Sequence, residues 1–339
     1  MKKSMSLIGG LAVALLTTQV SWAATLQDVK ARGKLNCGVS TGNTGLSAPD
    51  AKGVWQGLDV AMCRAVAAAV LGDPQAINFV PTTGQTRFTA LASGEVDVLV
   101  RNSSWTFTRD ADLKLTFAGI NYYDGQGFLA RKALGVDQIK ELDGASVCVQ
   151  TGSTHEVNIA EYFRTHGMTY QSVPIDSTAE GEQKYLAGAC DVFTNDVSGL
   201  AASRASFSTP AEHLILTELI SKEPLGPMVR QGDDQWADIV RWTLNALISA
   251  EELGVTSANL DKMAQGTANP DINRLLGSDG NLGAQLGLSK DWAKQAIAAG
   301  GNYGEIFDAT LGKDTPIGLQ RGLSALWNQG GLLYAPPFQ

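Results

Sequence analysis

The sequence predicts an α/β protein of two Rossmann-like lobes, joined by two hinge strands with a cleft between them and followed by a helical C-terminal extension. Three observations carry that prediction. First, two pairs of motifs echo each other in the same order: Cys37-Gly-Val-Ser-Thr-Gly-Asn-Thr44 with Cys148-Val-Gln-Thr-Gly-Ser-Thr154, and Leu91-Ala-Ser-Gly-Glu-Val-Asp-Val98 with Leu186-Ala-Gly-Ala-Cys-Asp-Val192. The ordered set reads as two similar α/β lobes. Second, two short passages marked by glycine or proline are flanked by strand-like runs, as crossings between lobes would be. They are Asn121-Tyr-Tyr-Asp-Gly-Gln-Gly-Phe128 and Ser221-Lys-Glu-Pro-Leu-Gly-Pro227. Third, 339 residues less a short leader suit two domains of roughly 100–200 residues each. The expected partition is a leader over 1–23, a first lobe over 24–124 and 227–339 that includes the extension, and a second lobe over 125–226.

The elements follow in chain order. Met1-Lys-Lys3 is charged, an apolar small-residue stretch runs from Met5 to Val20, and Ser21-Trp22-Ala23 is a small-x-small cleavage site. That is the pattern of a secretory signal peptide, with the mature chain beginning at Ala24. Its apolar stretch falls short of the roughly 18–20 residues that span a bilayer, and no later segment comes close. Leu35, Cys37 and Val39 then alternate along one strand face. On the helix expected from Asp59 to Leu71, Val60, Cys63, Ala67 and Val70 form one apolar stripe. Both sulfurs therefore point inward. Four cysteines in an oxidising compartment allow three disulfide connectivities, and we expect Cys37–Cys63 and Cys148–Cys190.

Val96–Val100 is an apolar strand that ends in Arg101-Asn-Ser-Ser-Trp-Thr-Phe-Thr-Arg-Asp110, where two arginines, an amide, four hydroxyls and an indole arrive together. A helix starts after Thr151-Gly-Ser-Thr154 and another at Val197. Asp234 to Leu253 carries Trp236, Ile239, Val240, Leu244, Leu247 and Ile248 at helical spacing and stops at Gly254. The tail from Gly330 to Phe338 is expected to pack as irregular chain.

Composition excludes several functions. Losing Lys2 and Lys3 with the leader takes the formal charge from −8 to −10, which disfavours nucleic acid and anionic membrane surfaces. No CxxC or paired-histidine spacing suggests zinc, and no GxxxxGK[ST] phosphate loop is present. We expect neither metal nor cofactor.

Geometry turns the echo into a site. If each GxxDV segment is a parallel strand, its carboxyl end faces the cleft where open α/β sheets bind ligands. Five residues on from Asp97 and Asp191 stand Asn102 and Asp196, one from each lobe. A guanidinium fork at Arg109 suits a carboxylate, Asp196 suits an ammonium, and the helix start at Thr154 favours an anion. Complementary charge of this kind suits a zwitterion better than a sugar. Read alone, Arg109 beside Asp110 and Asp112 is equally a solvated charge cluster, and Asp196 reads first as the cap of the helix that follows it. Trp105 is equally a core residue, and Asp97 and Asp191 read as structural.

The mature sequence resembles the extracellular solute-binding proteins of family 3, the two-lobed type 2 periplasmic binding proteins, and within them those serving broad-specificity polar amino-acid ABC importers. The resemblance covers nearly the full length. Its most specific pieces are RNSSWTFTRD at 101–110, NYYDGQGF at 121–128 and SKEPLGPMVRQGDDQW at 221–236, with GNYGEIF at 301–307, RGLSALW at 321–327 and GGLLYAPPF at 330–338. It implies a monomer in the periplasm that closes on an L-amino acid and docks on a membrane permease with a separate ATPase subunit. It also implies that Arg109 holds the α-carboxylate with Ser104 and Thr154, and that Asp196 holds the α-ammonium. Arg101, Asn102, Trp105 and Leu46 are candidates for the ligand's side chain, and Ser153 completes the expected set. The sequence departs from the family pattern at Gly57-Leu-Asp-Val-Ala61, where Ala61 replaces a second acid, and in the shortened loop Thr44–Ser47.

The rival readings are an enzyme on the same scaffold, such as a cyclohexadienyl dehydratase-like lyase, and a chemosensory amino-acid-binding protein. An enzyme needs a positioned acid or base. Only His155 lies near the expected site, where a helix-surface position is its commoner fate, and no G-x-S-x-G elbow is present.

Overall fold

The computed structural model describes residues 25–339, so the expected leader over 1–23 lies outside the described residues. Among the described residues no helix is long and apolar enough to cross a membrane.

Two five-stranded sheets form the centres of two lobes. The first has the order Ile77–Thr82, Leu35–Ser40, Val98–Leu99, Met228–Arg230, Leu115–Phe117. Its first three strands are parallel, and Met228–Arg230 runs antiparallel to both neighbours. The second has the order Gln171–Ile175, Ser146–Gln150, Val192–Asp196, Gln126–Arg131, His213–Ile215, with the same pattern of directions. The faint sequence echo is thus a structural repeat. It extends to single side chains: Asp97 Oδ2 accepts the N–H of Asn36 at 2.7 Å, and Asp191 Oδ2 accepts that of Ser146 at 2.8 Å. Each aspartate, just before the third strand of its sheet, ties that strand to the start of the second, the structural role expected of them.

Periodicity explains the helices that cover these sheets. Leu58–Leu71 buries its alanine- and valine-rich face and stops at Gly72, whose φ of 72° costs little without a Cβ. Cys63 on this helix is bonded to Cys37 on the strand beneath it, and Cys148 is bonded to Cys190, the expected pairing. Asp234–Glu252 buries all six residues of its predicted stripe, ending one residue earlier than expected because Leu253 is its cap. Beyond it, five short helices between Leu260 and Thr310 pack Trp292, Ile297 and Phe307 into the core of the first lobe. The tail forms a single bridge, Leu326 to Leu333, and otherwise packs as irregular chain, with Phe338 set edge-on to Trp242 at 5.0 Å.

The lobes are joined by Tyr122–Asp124 and Glu223–Leu225, which pair antiparallel with Glu223 opposite Asp124. The extension grips this crossing. Tyr303 donates its hydroxyl to the Asn121 carbonyl at 2.6 Å, and the Tyr123 N–H donates to Ser324 Oγ at 2.9 Å.

Candidate functional site

The two equivalent strand ends meet. Asn102 Nδ2 donates to Asp196 Oδ2 at 3.2 Å across the lobes. Asn102 has φ of 30°, close to the left-handed region that asparagine tolerates better than most side chains, and its N–H is held by Asp59 Oδ2 at 2.9 Å. Asp196 precedes the helix Val197–Ser206, yet its carboxylate does not cap it. Its Oδ1 lies 3.0 Å from His155 Nε2 instead, which removes the capping alternative.

Around these ends lies a cavity of about 10 Å³. Arg87, Arg101, Asn102, Ser104 and Arg109 line it from the first lobe, and Gln150, Ser153, Thr154, His155 and Asp196 from the second. Its volume is about that of one water, so a larger solute enters only when the lobes part. The lobes touch through bare backbone: a Cβ on Gly84 would stand 2.5 Å from the Thr151 carbonyl oxygen, and Gly152, with φ of 73°, packs on Gly84 from the other side.

Seven of the eight ligand residues expected from the sequence line this cavity; Trp105 does not. Trp105 stacks on Phe117 at 5.1 Å, donates Nε1–H to Asp110 at 3.1 Å and is 37% exposed. It precedes the cap Thr106 of the short helix Phe107–Ala111, and it is neither core nor cavity wall. Leu46 likewise lies apart, in the core of the first lobe. Arg109 is no solvated cluster with its acidic neighbours: it is 7% exposed, donates to the Ser104 carbonyl at 2.9 Å and lies over the Phe88 ring at 5.0 Å.

Four residues outside that set shape the site. Arg87, at the start of the helix Arg87–Ser93, donates to Ser103 Oγ and to the Gly152 carbonyl, while its Nε has no partner. His155, expected on a helix surface, is buried against Asp196. Asp59 accepts from Asn102 and Asn121. Glu223 accepts hydrogen bonds from Ser104 Oγ, Thr154 Oγ1, Asn158 Nδ2 and Ser221 Oγ. Arg87 and Glu223 stand in ordinary helix and crossing contexts, and no spacing in the sequence marks them.

The charges are opposed across the cavity. Arg87, Arg101 and Arg109 are all buried, and none has a carboxylate oxygen within 4.0 Å among the described residues. Burial lowers all three guanidinium pKa values, and mutual repulsion adds to this at Arg87 and Arg101. Arg101 is brought down to about 10 and stays cationic at neutral pH. Burial pushes Asp196 up, but the charge and hydrogen bond of His155, with Asn102 and Arg87, hold it below the ordinary carboxylate value. Asp59 is raised, chiefly by burial. The arrangement can bind one solute carrying both signs of charge, with excess cation on the first-lobe wall.

Comparison with known proteins identifies the family. The profile of the bacterial extracellular solute-binding proteins, family 3, matches residues 35–258, leaving most of the helical extension outside it. The chain is 60% identical over 339 residues to the glutamate/glutamine/aspartate/asparagine-binding protein BztA of Rhodobacter capsulatus, with all of both chains covered. It is 53% identical to the general L-amino acid-binding periplasmic protein AapJ of Rhizobium johnstonii, covering 99% of this chain and 98% of that one. A solved periplasmic binding protein of an ABC transporter from Brucella ovis, with glutathione bound, superposes with a TM-score of 0.91 at 51% identity, covering 94% of this chain and 100% of that one. These relatives are named as binding proteins. The chain belongs to the bacterial extracellular solute-binding proteins, family 3.

Proposed function

We propose that this protein captures polar L-amino acids in the periplasm and presents them to the permease of an ABC importer, without catalysis. One observation carries the reading: an acidic group from the second lobe faces three buried guanidinium groups of the first, none of them paired with a carboxylate among the described residues, across an interlobe cavity. An α-amino acid supplies the missing carboxylate and ammonium together. In this reading Arg109 takes the carboxylate and Asp196 the ammonium, while Arg101, Asn102, Ser104, Ser153 and Thr154 complete the wall. The lobes, 24–124 with 227–339 and 125–226, part and close about the paired crossing strands, a hinge motion of the kind periplasmic binding proteins use, which the handled ligand stabilises in its closed form. The names of the relatives BztA and AapJ support amino acids as the solute class and export of the chain to the periplasm.

Glutarate, which is glutamate without its α-ammonium, separates the roles. Titration calorimetry should show Asp196→Asn weakening L-glutamate by tenfold or more beyond its effect on glutarate, the scale of one hydrogen bond to a charged group. Equal losses for both ligands would remove Asp196 from the ammonium site.

A further inference from the structure

The family profile ends at residue 258, yet the chain beyond it reaches the cleft through one buried tyrosine. Tyr303 opens the helix Tyr303–Thr310, which Asn302 caps by accepting the Glu305 N–H at 2.9 Å. Its ring lies under the Arg321 guanidinium at 5.0 Å, and Arg321 is itself held by both oxygens of Glu251, at 2.9 and 3.1 Å. The cap and the guanidinium together fix where the hydroxyl points. Burial raises its pKa above the ordinary tyrosine value, so the hydroxyl stays protonated and donates. Its partner is the Asn121 carbonyl at 2.6 Å.

From Asn121 a relay of hydrogen bonds runs into the cleft. Asn121 is buried directly before the crossing strand Tyr122–Asp124, and its Nδ2 donates to Asp59 Oδ1 at 3.1 Å. Asp59 Oδ2 accepts the Asn102 N–H at 2.9 Å. Asp59 is buried, and no arginine or lysine lies within 4.0 Å of it among the described residues. These two N–H donors do most to offset its burial, ahead of the more distant charge of Arg101. Asn102 needs the anchor. Its φ of 30° is unfavourable for a residue with a Cβ, and it stands in a bend outside any strand or helix. Its Nδ2 reaches Asp196 at 3.2 Å, and its Oδ1 is buried with no partner among the described residues, free for a solute.

We infer that Tyr303 is a positioning residue for the cleft: through Asn121 and Asp59 it holds Asn102 in the backbone conformation that sets its side chain between the lobes. The C-terminal extension is then a working part of the binding apparatus and not only packing behind it. The effect on affinity rests on the amino-acid-binding reading; the effect on Asn102 itself does not.

The test is Tyr303→Phe, which removes the hydroxyl and keeps the ring. In the ligand-free protein, amide hydrogen exchange followed by NMR should show the Asn102 N–H exchanging about tenfold faster than in the wild type, the scale of one lost hydrogen bond. Calorimetry should show L-glutamate binding weakened about fivefold. Asn102→Gly separates positioning from general support, because glycine takes a positive φ unaided. In that background Tyr303→Phe should change the L-glutamate affinity by less than about twofold. Ile297→Val, which loosens the core of the same extension away from the relay, should lower the urea midpoint and leave the exchange rate and the affinity as they are. An unchanged Asn102 exchange rate in Tyr303→Phe would overturn the proposal whatever the protein binds. So would an affinity loss that persists in full in the Asn102→Gly background or is reproduced by Ile297→Val, because Tyr303 would then act only by holding the extension together. A wild type that binds no amino acid defeats the proposed function, while the exchange rate still decides this inference.

Discussion

Replacing Arg109 by alanine should abolish tight binding while leaving the fold intact. In the structure this guanidinium makes one hydrogen bond, to the Ser104 carbonyl at 2.9 Å, and one ring contact, with Phe88 at 5.0 Å. Neither neutralises it, and burial lowers its pKa although the more distant charges of Glu223 and Asp196 oppose that shift. Removing it loses about 1 kcal/mol each for the hydrogen bond and the ring contact. Relief of the desolvation and of the repulsion by Arg101 and Arg87 offsets that loss, so the unliganded melting temperature should change little. The bound state is different. Truncating one partner of a buried, hydrogen-bonded charge pair costs about 2–5 kcal/mol, a loss of roughly 30- to 4,000-fold in affinity. Calorimetric titration with L-glutamate, beside a urea melt of the free variant, measures both terms. Arg109→Lys keeps the charge but not the planar fork and should fall between the two. Affinity within about threefold of wild type in Arg109→Ala would take Arg109 out of the carboxylate site and move the carboxylate to Arg87 or Arg101.

Two further predictions concern the scaffold. The disulfides close loops of 26 and 42 residues, for which chain entropy gives about 3.5 and 3.9 kcal/mol of stabilisation. Paired cysteine-to-alanine replacement of either bridge should lower the urea-unfolding free energy by an amount of that order, and a loss under about 1 kcal/mol would contradict the entropic account. The unfolded, unreduced wild type should titrate no free thiol. Asp124, on the first crossing strand, is pushed up to about 7 by burial and then by the charge of Asp196. Its folded pKa thus exceeds its unfolded value, so its contribution is complete at the acid end and is lost as pH rises through about 7. Asp124→Asn, which cannot ionise, should therefore gain on wild type in urea midpoints between pH 4 and pH 7. A constant difference across that range would show that Asp124 does not carry this proton.

Much of the fold was legible because its signals are local. The cysteine stripe on Leu58–Leu71, the apolar face of Asp234–Glu252 and the repeated strand motifs each need only a few neighbouring residues to be read. Counting from the two aspartates even brought Asn102 and Asp196 to the same place. What stayed hidden depends on contacts far apart in the chain. Glu223 reaches Ser104 across 119 positions and Arg87 reaches Gly152 across 65, and neither residue looks unusual among its neighbours. His155 has the sequence context of an exposed first turn and is buried only because the Asp196 strand end comes down on it. Trp105 failed in the opposite direction. It lies in the middle of the richest polar motif, but the turn into Phe107–Ala111 sends its ring onto Phe117.

The most direct measurement is a melting-temperature scan of ligand-stripped protein against the twenty L-amino acids, with D-alanine and glucose as controls. A ligand at about a hundred times its dissociation constant adds roughly 2.7 kcal/mol of stability to the form that binds it. Clear upward shifts are expected with several polar L-amino acids and none with either control. Shifts with none of the twenty would leave the two-lobed scaffold standing and contradict the claim that its opposed charges hold an amino-acid zwitterion.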